Sequence, residues 1–496
     1  MQQYISALKA LQMSDTDRAW TRISIWLFLS LAMVALLSPL GATHDEVFHA
    51  TNIWCGRGER SPFCEEIESA PGYTALTNLN AQHCKADPLS PLICPLESGG
   101  NLRYQTNPGL YPSTFYSVLS WFVFGSVELS LIVVRLANAL VISLMLALMM
   151  AVIPTRHRVA LALLILTAFN PTGFYLFSSI HPSSWTAFGV GTGWIGIHAA
   201  LTPSAQSSKR RALQFVVGVL ICLMGVGSRW DAYPFMAVVG VLVISRLLFD
   251  YFPTRRATVL LVGLTLSGCL GMLLQLFSSF KPSEYIELLV SHNRGQPDNL
   301  TFFSHYLLQG LPNALSALGS VPTHASVVLP QIVQLVGVVV LGCLVTLTID
   351  KNSPWQWGGA LLAILAISVT IMSQVALIDN RDFFGVEPRY SYPLLLFLVG
   401  WWYLFGSSTH SATFVASLRP AAVAVTITFA LSMFTVAERY TDRQTLGLRL
   451  LPEESDNWWW QILPVSPNVV LVLAVIFMWN FLRHLADQLR RDVQGT

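Results

Sequence analysis

Apolar runs of about 20 residues, the length that carries a helix across ~30 Å of hydrocarbon, recur along this chain. Inside lipid a backbone must satisfy its own hydrogen bonds, so a succession of such runs folds as a bundle of membrane-spanning helices. We place about 12 spans. They fall near residues 23–41, 128–153, 159–178, 183–201, 213–228, 234–249, 257–279, 326–348, 357–377, 390–406, 418–436 and 464–482. Only 11% of the 496 residues are charged, against about 25% in soluble domains. The expected fold is an all-α polytopic membrane protein, one integral domain over residues 1–496. The first run, from Ile23 to Leu40, is long for a secretory signal and lacks a small-residue cleavage site, so it reads as a retained helix. A net charge of +2 with no basic tract gives no reason to expect a nucleic-acid partner.

Basic residues punctuate one side of the predicted bundle: Lys9, Arg18 and Arg22, then Arg156 and Arg158, then Lys209, Arg210 and Arg211. The series continues with Arg255, Arg256, Lys351, Arg419, Arg483, Arg490 and Arg491. The positive-inside rule makes that side cytoplasmic, holds both termini there and assigns the chain to the cytoplasmic membrane. Long loops (42–127, 280–325 and 437–463) and short turns near 179–182, 229–233 and 379–389 face the other way. Almost every side chain suited to chemistry falls on that outer side. Residues 110–127 are apolar and aromatic but short for a span, which predicts a juxtamembrane helix. Trp458, Trp459 and Trp460 read as an aromatic belt before the last span.

The first outer loop holds Cys55, Cys64, Cys84 and Cys94. An even number in an oxidising compartment suggests disulfides, with Cys55–Cys64 and Cys84–Cys94 preferred among the three possible pairings. Zinc ligands usually come in closer pairs than these. Cys222, Cys269 and Cys343 fall within apolar runs.

Directly after the first run stands His44-Asp45-Glu46-Val47-Phe48-His49. Ionisable groups are costly at a membrane and concentrate where there is function, so this cluster reads as a site more than as a solvated helix end. Adjacent residues point in different directions. Asp45 is expected to be a general base and Glu46 an orienting or acceptor-binding group, with His44 and His49 contacting substrate. Candidate cations for an anion on the same side are Arg103, Arg135, His181, Arg229, Lys281, Arg294, Arg381 and Arg389. Arg135 lies inside the second run, where a guanidinium should be paired, face a cavity or snorkel to the surface. Arg229 and Asp231 either neutralise each other or touch a ligand. Arg381, Glu387, Arg389 and Tyr390 form a second polar cluster, and Arg389-Tyr390 at a helix start suits phosphate. A carboxylate to take a proton and cations to hold phosphate are what a transferase with a lipid-phosphate sugar donor needs. The chain has no P-loop, no dinucleotide fingerprint, no His-Glu-x-x-His and no Asp-rich metal loop, so neither metal nor cofactor is expected.

The segment His44–His49, together with Asn52-Ile53-Trp54-Cys55, Asn107–Tyr116 and Val134-Arg135-Leu136-Ala137-Asn138, resembles a bacterial membrane-protein family catalogued as domain of unknown function 2142. The likeness extends through Arg389-Tyr390 and is closest to actinobacterial members. The layout also resembles type-C (GT-C) glycosyltransferases, multi-span enzymes with a catalytic Asp, often in an Asp-Glu pair, in the first outer loop. That second resemblance implies a hexosyl or pentosyl transferase moving sugar from a polyprenyl-phosphate donor to a cell-envelope glycan or lipid acceptor outside the membrane. It carries over Asp45 and Glu46, with Arg389-Tyr390 as a looser match. The implied partners are membrane lipid, the polyprenyl-phosphate sugar and a glycan or glycolipid acceptor. Two other readings stand beside it: a lipid or solute transporter or flippase, and a lipid-linked polysaccharide polymerase. A transporter would use features near the bilayer midplane, for which Asn170-Pro171 and the Gly189–Gly193 run are the candidates.

Overall fold

A computed structural model describes residues 15–38, 46–55, 64–66, 74–76, 104–105, 111–124, 127–202, 206–251, 331–377, 388–406, 411–440 and 465–494. Long helices dominate. In chain order they are α1 (Asp15–Leu37), α2 (Glu46–Cys55), α3 (Ser113–Leu119), α4 (Val127–Val152), α5 (Thr155–Ala168), α6 (Pro171–Ser178) and α7 (Ser183–Leu201). Then come α8 (Ser208–Val226), α9 (Ala232–Tyr251), α10 (Gln331–Leu347), α11 (Pro354–Leu377), α12 (Tyr392–Phe405), α13 (Ala412–Tyr440) and α14 (Pro467–Gln494). Among the described residues α1, α4, α9, α13 and α14 contain stretches long and apolar enough to cross a membrane. The pair α5–α6 adds a sixth if it is one span. The count of twelve is therefore not reproduced: 257–279 lies outside the described residues, 159–178 is broken, α7 and α8 are not among the helices long and apolar enough to cross, and the apolar parts of α10, α11 and α12 are short.

The break has a local cause. Proline cannot donate to the preceding turn and drives the residue before it out of the helical region. Asn170, ahead of Pro171, is extended (φ −84°, ψ −173°) and its side chain accepts the Gly173 N–H, capping α6. The two helices meet at 96°, and α6 is buried along its whole length.

Three short strands also depart from the all-α expectation. They are β1 (Cys64–Glu66), β2 (Thr74–Leu76) and β3 (Tyr104–Gln105), an antiparallel sheet in the order β1-β2-β3. Cys64 pairs with Leu76, and Leu76 with Tyr104. The loop that holds them is off the helices, where backbone groups find partners in neighbouring strands. Of the four outer-loop cysteines, Cys55 ends α2 and Cys64 opens β1 by their backbone, while their side chains, like all of Cys84 and Cys94, lie outside what the structure describes. The expected disulfides therefore fall outside the described side chains, among which Cys222 and Cys343 are free thiols. A short helix does stand in the juxtamembrane stretch: α3 buries Phe115, Tyr116 and Leu119, and Trp121 just beyond it is 72% exposed.

Close helix packing depends on glycine. A Cβ on Gly189 of α7 would sit 2.6 Å from the Cα of Gly225 in α8, and one on Gly218 would sit 2.8 Å from the Gly193 carbonyl. Small residues let two membrane helices touch backbone to backbone. The Gly189–Gly193 run is thus a packing seam within a continuous helix. Next to it, Trp194, Phe397 and Trp401 fill the space between α7 and α12.

Part of the basic punctuation serves as helix caps. Arg156 donates to the Leu404 carbonyl (2.9 Å), and Arg210 donates to the carbonyls of Val152 (3.0 Å) and Ala151 (3.3 Å). Those carbonyls end α12 and α4, where orphan acceptors and the helix dipole both favour a cation. At the same end His157 and His198 share a hydrogen bond of 2.9 Å between ring nitrogens.

The glycine seam makes a direct prediction. Gly189→Leu should lower stability by about 2 kcal/mol or more, because backbone rather than a flexible side chain stands in the way. Gly342→Ala, with nothing within 4 Å, should leave stability unchanged or raise it by up to about 1 kcal/mol. Thermal unfolding of both variants in one detergent checks the contrast.

Candidate functional site

The other end of the bundle gathers the side chains of interest. Glu46 is the first residue of α2, a favourable place for a carboxylate at a helix N-terminus. Both it and Arg135 of α4 are completely buried. Arg135 forks it, Nε to Oε1 at 2.8 Å and Nη2 to Oε2 at 2.6 Å. The Ile180 N–H donates to Oε1 at 3.0 Å. Arg135 Nη1 donates to the carbonyl of Ala35 at 2.9 Å and to that of Ser38, both at the end of α1. A buried charge is tolerable only when matched by charge and by hydrogen bonds, and this one is matched by both.

One turn further along α2, His49 is buried and its Nδ1 shares a 2.8 Å hydrogen bond with the Tyr116 hydroxyl of α3. Its ring meets Tyr111 edge-on at 5.2 Å and His181 at 4.5 Å. His181 occupies the turn between α6 and α7, where its Nδ1 accepts the Ser183 N–H at 3.0 Å. Its Nε2 lies 2.6 Å from Nη1 of Arg389. Arg389 comes from the 3-10 turn Pro388–Tyr390 that leads into α12, 208 residues away in the chain.

Arg229, in the turn between α8 and α9, forks Asp231 with Nε to Oδ1 at 2.9 Å and Nη2 to Oδ2 at 2.8 Å. Its Nη1 donates to Ser183 Oγ at 2.9 Å. The guanidinium lies 5.7 Å from the ring of Tyr111 and 5.0 Å from that of Tyr390. Arg389 approaches the same Tyr390 ring at 5.3 Å. Burial opposes the charge on Arg229, but Asp231, with Tyr111 and Tyr390, outweighs it and holds the pKa well above arginine's ordinary value.

The structure thus brings together His49, His181, Arg229, Asp231, Arg389 and Tyr390, and sets the Glu46–Arg135 pair beside them through Ile180. Of the two readings open for Arg229 and Asp231, it shows mutual pairing. Arg135 turns its guanidinium to Glu46 and to the α1 carbonyls. His44, Asp45, Arg103, Lys281, Arg294, Arg381 and Glu387 lie outside the described residues. Tyr111, Tyr116 and Ser183 belong to the cluster without having been singled out for it. The tyrosines stood in the Asn107–Tyr116 segment, where an aromatic residue reads equally as a membrane anchor. Nothing in the sequence marks Ser183.

Chemically, the cluster combines two guanidinium groups, imidazole nitrogens and aromatic faces at one helix-bundle end. Such a set recognises an anionic oxygen by directed hydrogen bonds and a polar ring by stacking. Among the described residues no group of three or more His, Cys, Asp or Glu side chains is placed to hold a metal ion.

Residues 28–398 match the family described as "Predicted membrane protein (DUF2142)". The chain belongs to that family. The match begins within α1, spans α2 to α11 in full and reaches into α12, so it takes in every described member of the cluster. The family's description assigns no activity. No curated protein and no solved structure matches the chain.

The His49–Tyr116 bond offers a test of how the cluster is held. Tyr116→Phe should cost about 1 kcal/mol through the lost bond to a buried ring nitrogen. Thermal unfolding measures this, and a value near zero would mean that Tyr116 does not hold His49.

Proposed function

We propose that this protein is a membrane glycosyltransferase that moves a hexose or pentose from a polyprenyl-phosphate donor to a cell-envelope glycan or lipid acceptor. The reaction takes place at the extracytoplasmic face of the cytoplasmic membrane, with both termini inside. One observation carries the reading: Arg389, His181 and the Arg229–Asp231 pair converge around Tyr111 and Tyr390, and the Glu46 carboxylate binds the very turn that bears His181. Asp45, adjacent to Glu46 in sequence, therefore belongs to a segment that ends at this cluster.

In this mechanism Asp45 takes the proton from the acceptor hydroxyl, and the oxygen attacks the anomeric carbon. The bond from that carbon to the phosphate oxygen breaks, and its electron pair leaves with polyprenyl phosphate. Arg389, with His181 beside it, steadies the charge that grows on the departing phosphate. Tyr111 and Tyr390 supply flat faces for the sugar. The sugar's bond to phosphate supplies the driving force, so no nucleotide enters the step.

The 96° break between α5 and α6 supports a second reading, a transporter or flippase for a lipid-linked sugar. A lipid-linked polysaccharide polymerase would share the transferase chemistry with a longer acceptor. The experiment uses the purified protein in nanodiscs with a panel of polyprenyl-phosphate sugars and follows release of polyprenyl phosphate. Asp45→Asn should slow release by about a thousandfold, and Arg389→Ala by about a hundredfold or more. Equal release from wild type and Asp45→Asn would remove Asp45 from the mechanism. No release from folded wild type, together with movement of the lipid across the bilayer, would make the protein a flippase.

A further inference from the structure

Arg135 grips both ends of one short segment. Its Nη1 donates to the carbonyls of Ala35 and Ser38, where α1 ends, and its Nε and Nη2 fork Glu46, where α2 begins. Between Ser38 and Glu46 run residues 39–45, which include His44 and Asp45. The same carboxylate accepts the N–H of Ile180, the residue before His181. One buried guanidinium on α4 therefore joins the end of α1 to the start of α2 and, through the Glu46 carboxylate, to the α6–α7 turn.

We infer that Arg135 and Glu46 are positioning residues, a clasp that ties the end of α1 and the start of α2, the two ends of the segment that carries Asp45, to the turn that bears His181, without either member touching substrate. The inference rests on the transferase reading and refines it, since the Asp-Glu pair then divides into a base and an anchor. A two-bond fork constrains both distance and direction, which a single ammonium contact does not. Both side chains are fully shielded, so the fork is not exchanged for water, and losing one partner strands a buried charge. A general base acts over hydrogen-bond distances, so a shift of about 1 Å in the segment that carries it slows the reaction about a hundredfold. A phosphate ligand, by contrast, would have to displace the Glu46 carboxylate from Arg135.

The variants are Arg135→Lys, Glu46→Gln and the double variant Arg135→Met with Glu46→Leu. The double variant removes both buried charges together, an exchange that commonly preserves stability, and so keeps the question open to measurement if a single variant unfolds. Two readouts are taken in nanodiscs: hydrogen–deuterium exchange over residues 39–49 and 179–183, and kcat and KM for release of polyprenyl phosphate from a polyprenyl-phosphate sugar. Exchange should rise in both segments together. The kcat should fall about a hundredfold while the donor KM stays within about twofold. Unchanged exchange in either segment overturns the clasp, whatever the activity. A raised donor KM with normal kcat makes Arg135 a phosphate ligand and also overturns it. Normal kcat and KM in a destabilised but folded variant reduces the pair to a structural role, the third way to lose the inference. If exchange rises as stated but wild type releases no polyprenyl phosphate from any donor, the transferase reading falls and the clasp between the two segments stands.

Discussion

Everything in this fold follows from one requirement: backbone groups surrounded by lipid or protein must find partners without water. Along the helices the chain satisfies this by itself. At helix ends it cannot, and there side chains take over. Asn170 caps α6 after the Pro171 break, Arg210 and Arg156 reach the last carbonyls of α4 and α12, and Arg135 takes those of α1. Arginine suits the role because its several donors and fixed charge meet both the orphan carbonyls and the negative end of the helix dipole. Among the described residues the caps that these arginines make sit at the ends of helices, and the stretches between them are held by packing.

The two ion pairs at the site end obey different energetics. Arg135 and Glu46 are wholly buried, so removing one partner leaves an uncompensated charge and costs about 3–5 kcal/mol. In the Arg229–Asp231 pair the carboxylate side chain is 21% exposed and the two residues are near neighbours in one turn. Water moderates that pair, and its worth falls toward the low values of partly exposed bridges. The first pair therefore belongs to the architecture. The second is able to reorganise around a ligand, and its guanidinium already lies between the rings of Tyr111 and Tyr390.

Much of the site was legible in the chain because charged and imidazole side chains at membrane borders are few. His49, His181, Arg229, Asp231 and Arg389 all announced themselves by that rule. Their aromatic partners did not, since a tyrosine beside a membrane anchors, packs or binds with the same local pattern. Pairing was equally hidden. Arg135 and Glu46 stand 89 residues apart and His181 and Arg389 stand 208 apart, separations that no spacing rule connects.

The sequence by itself determined that the chain is a bundle of apolar helices, where most of them lie, and that its reactive groups gather at their ends. Hydrophobic length and the cost of charge in lipid act locally, so they can be read residue by residue. The tertiary structure alone decided that the first long loop carries a three-stranded sheet and that Glu46 turns inward to Arg135. These depend on which segments meet in space. A side chain at a helix end can face water, lipid or a partner, and only the neighbour that arrives from elsewhere in the chain selects among them.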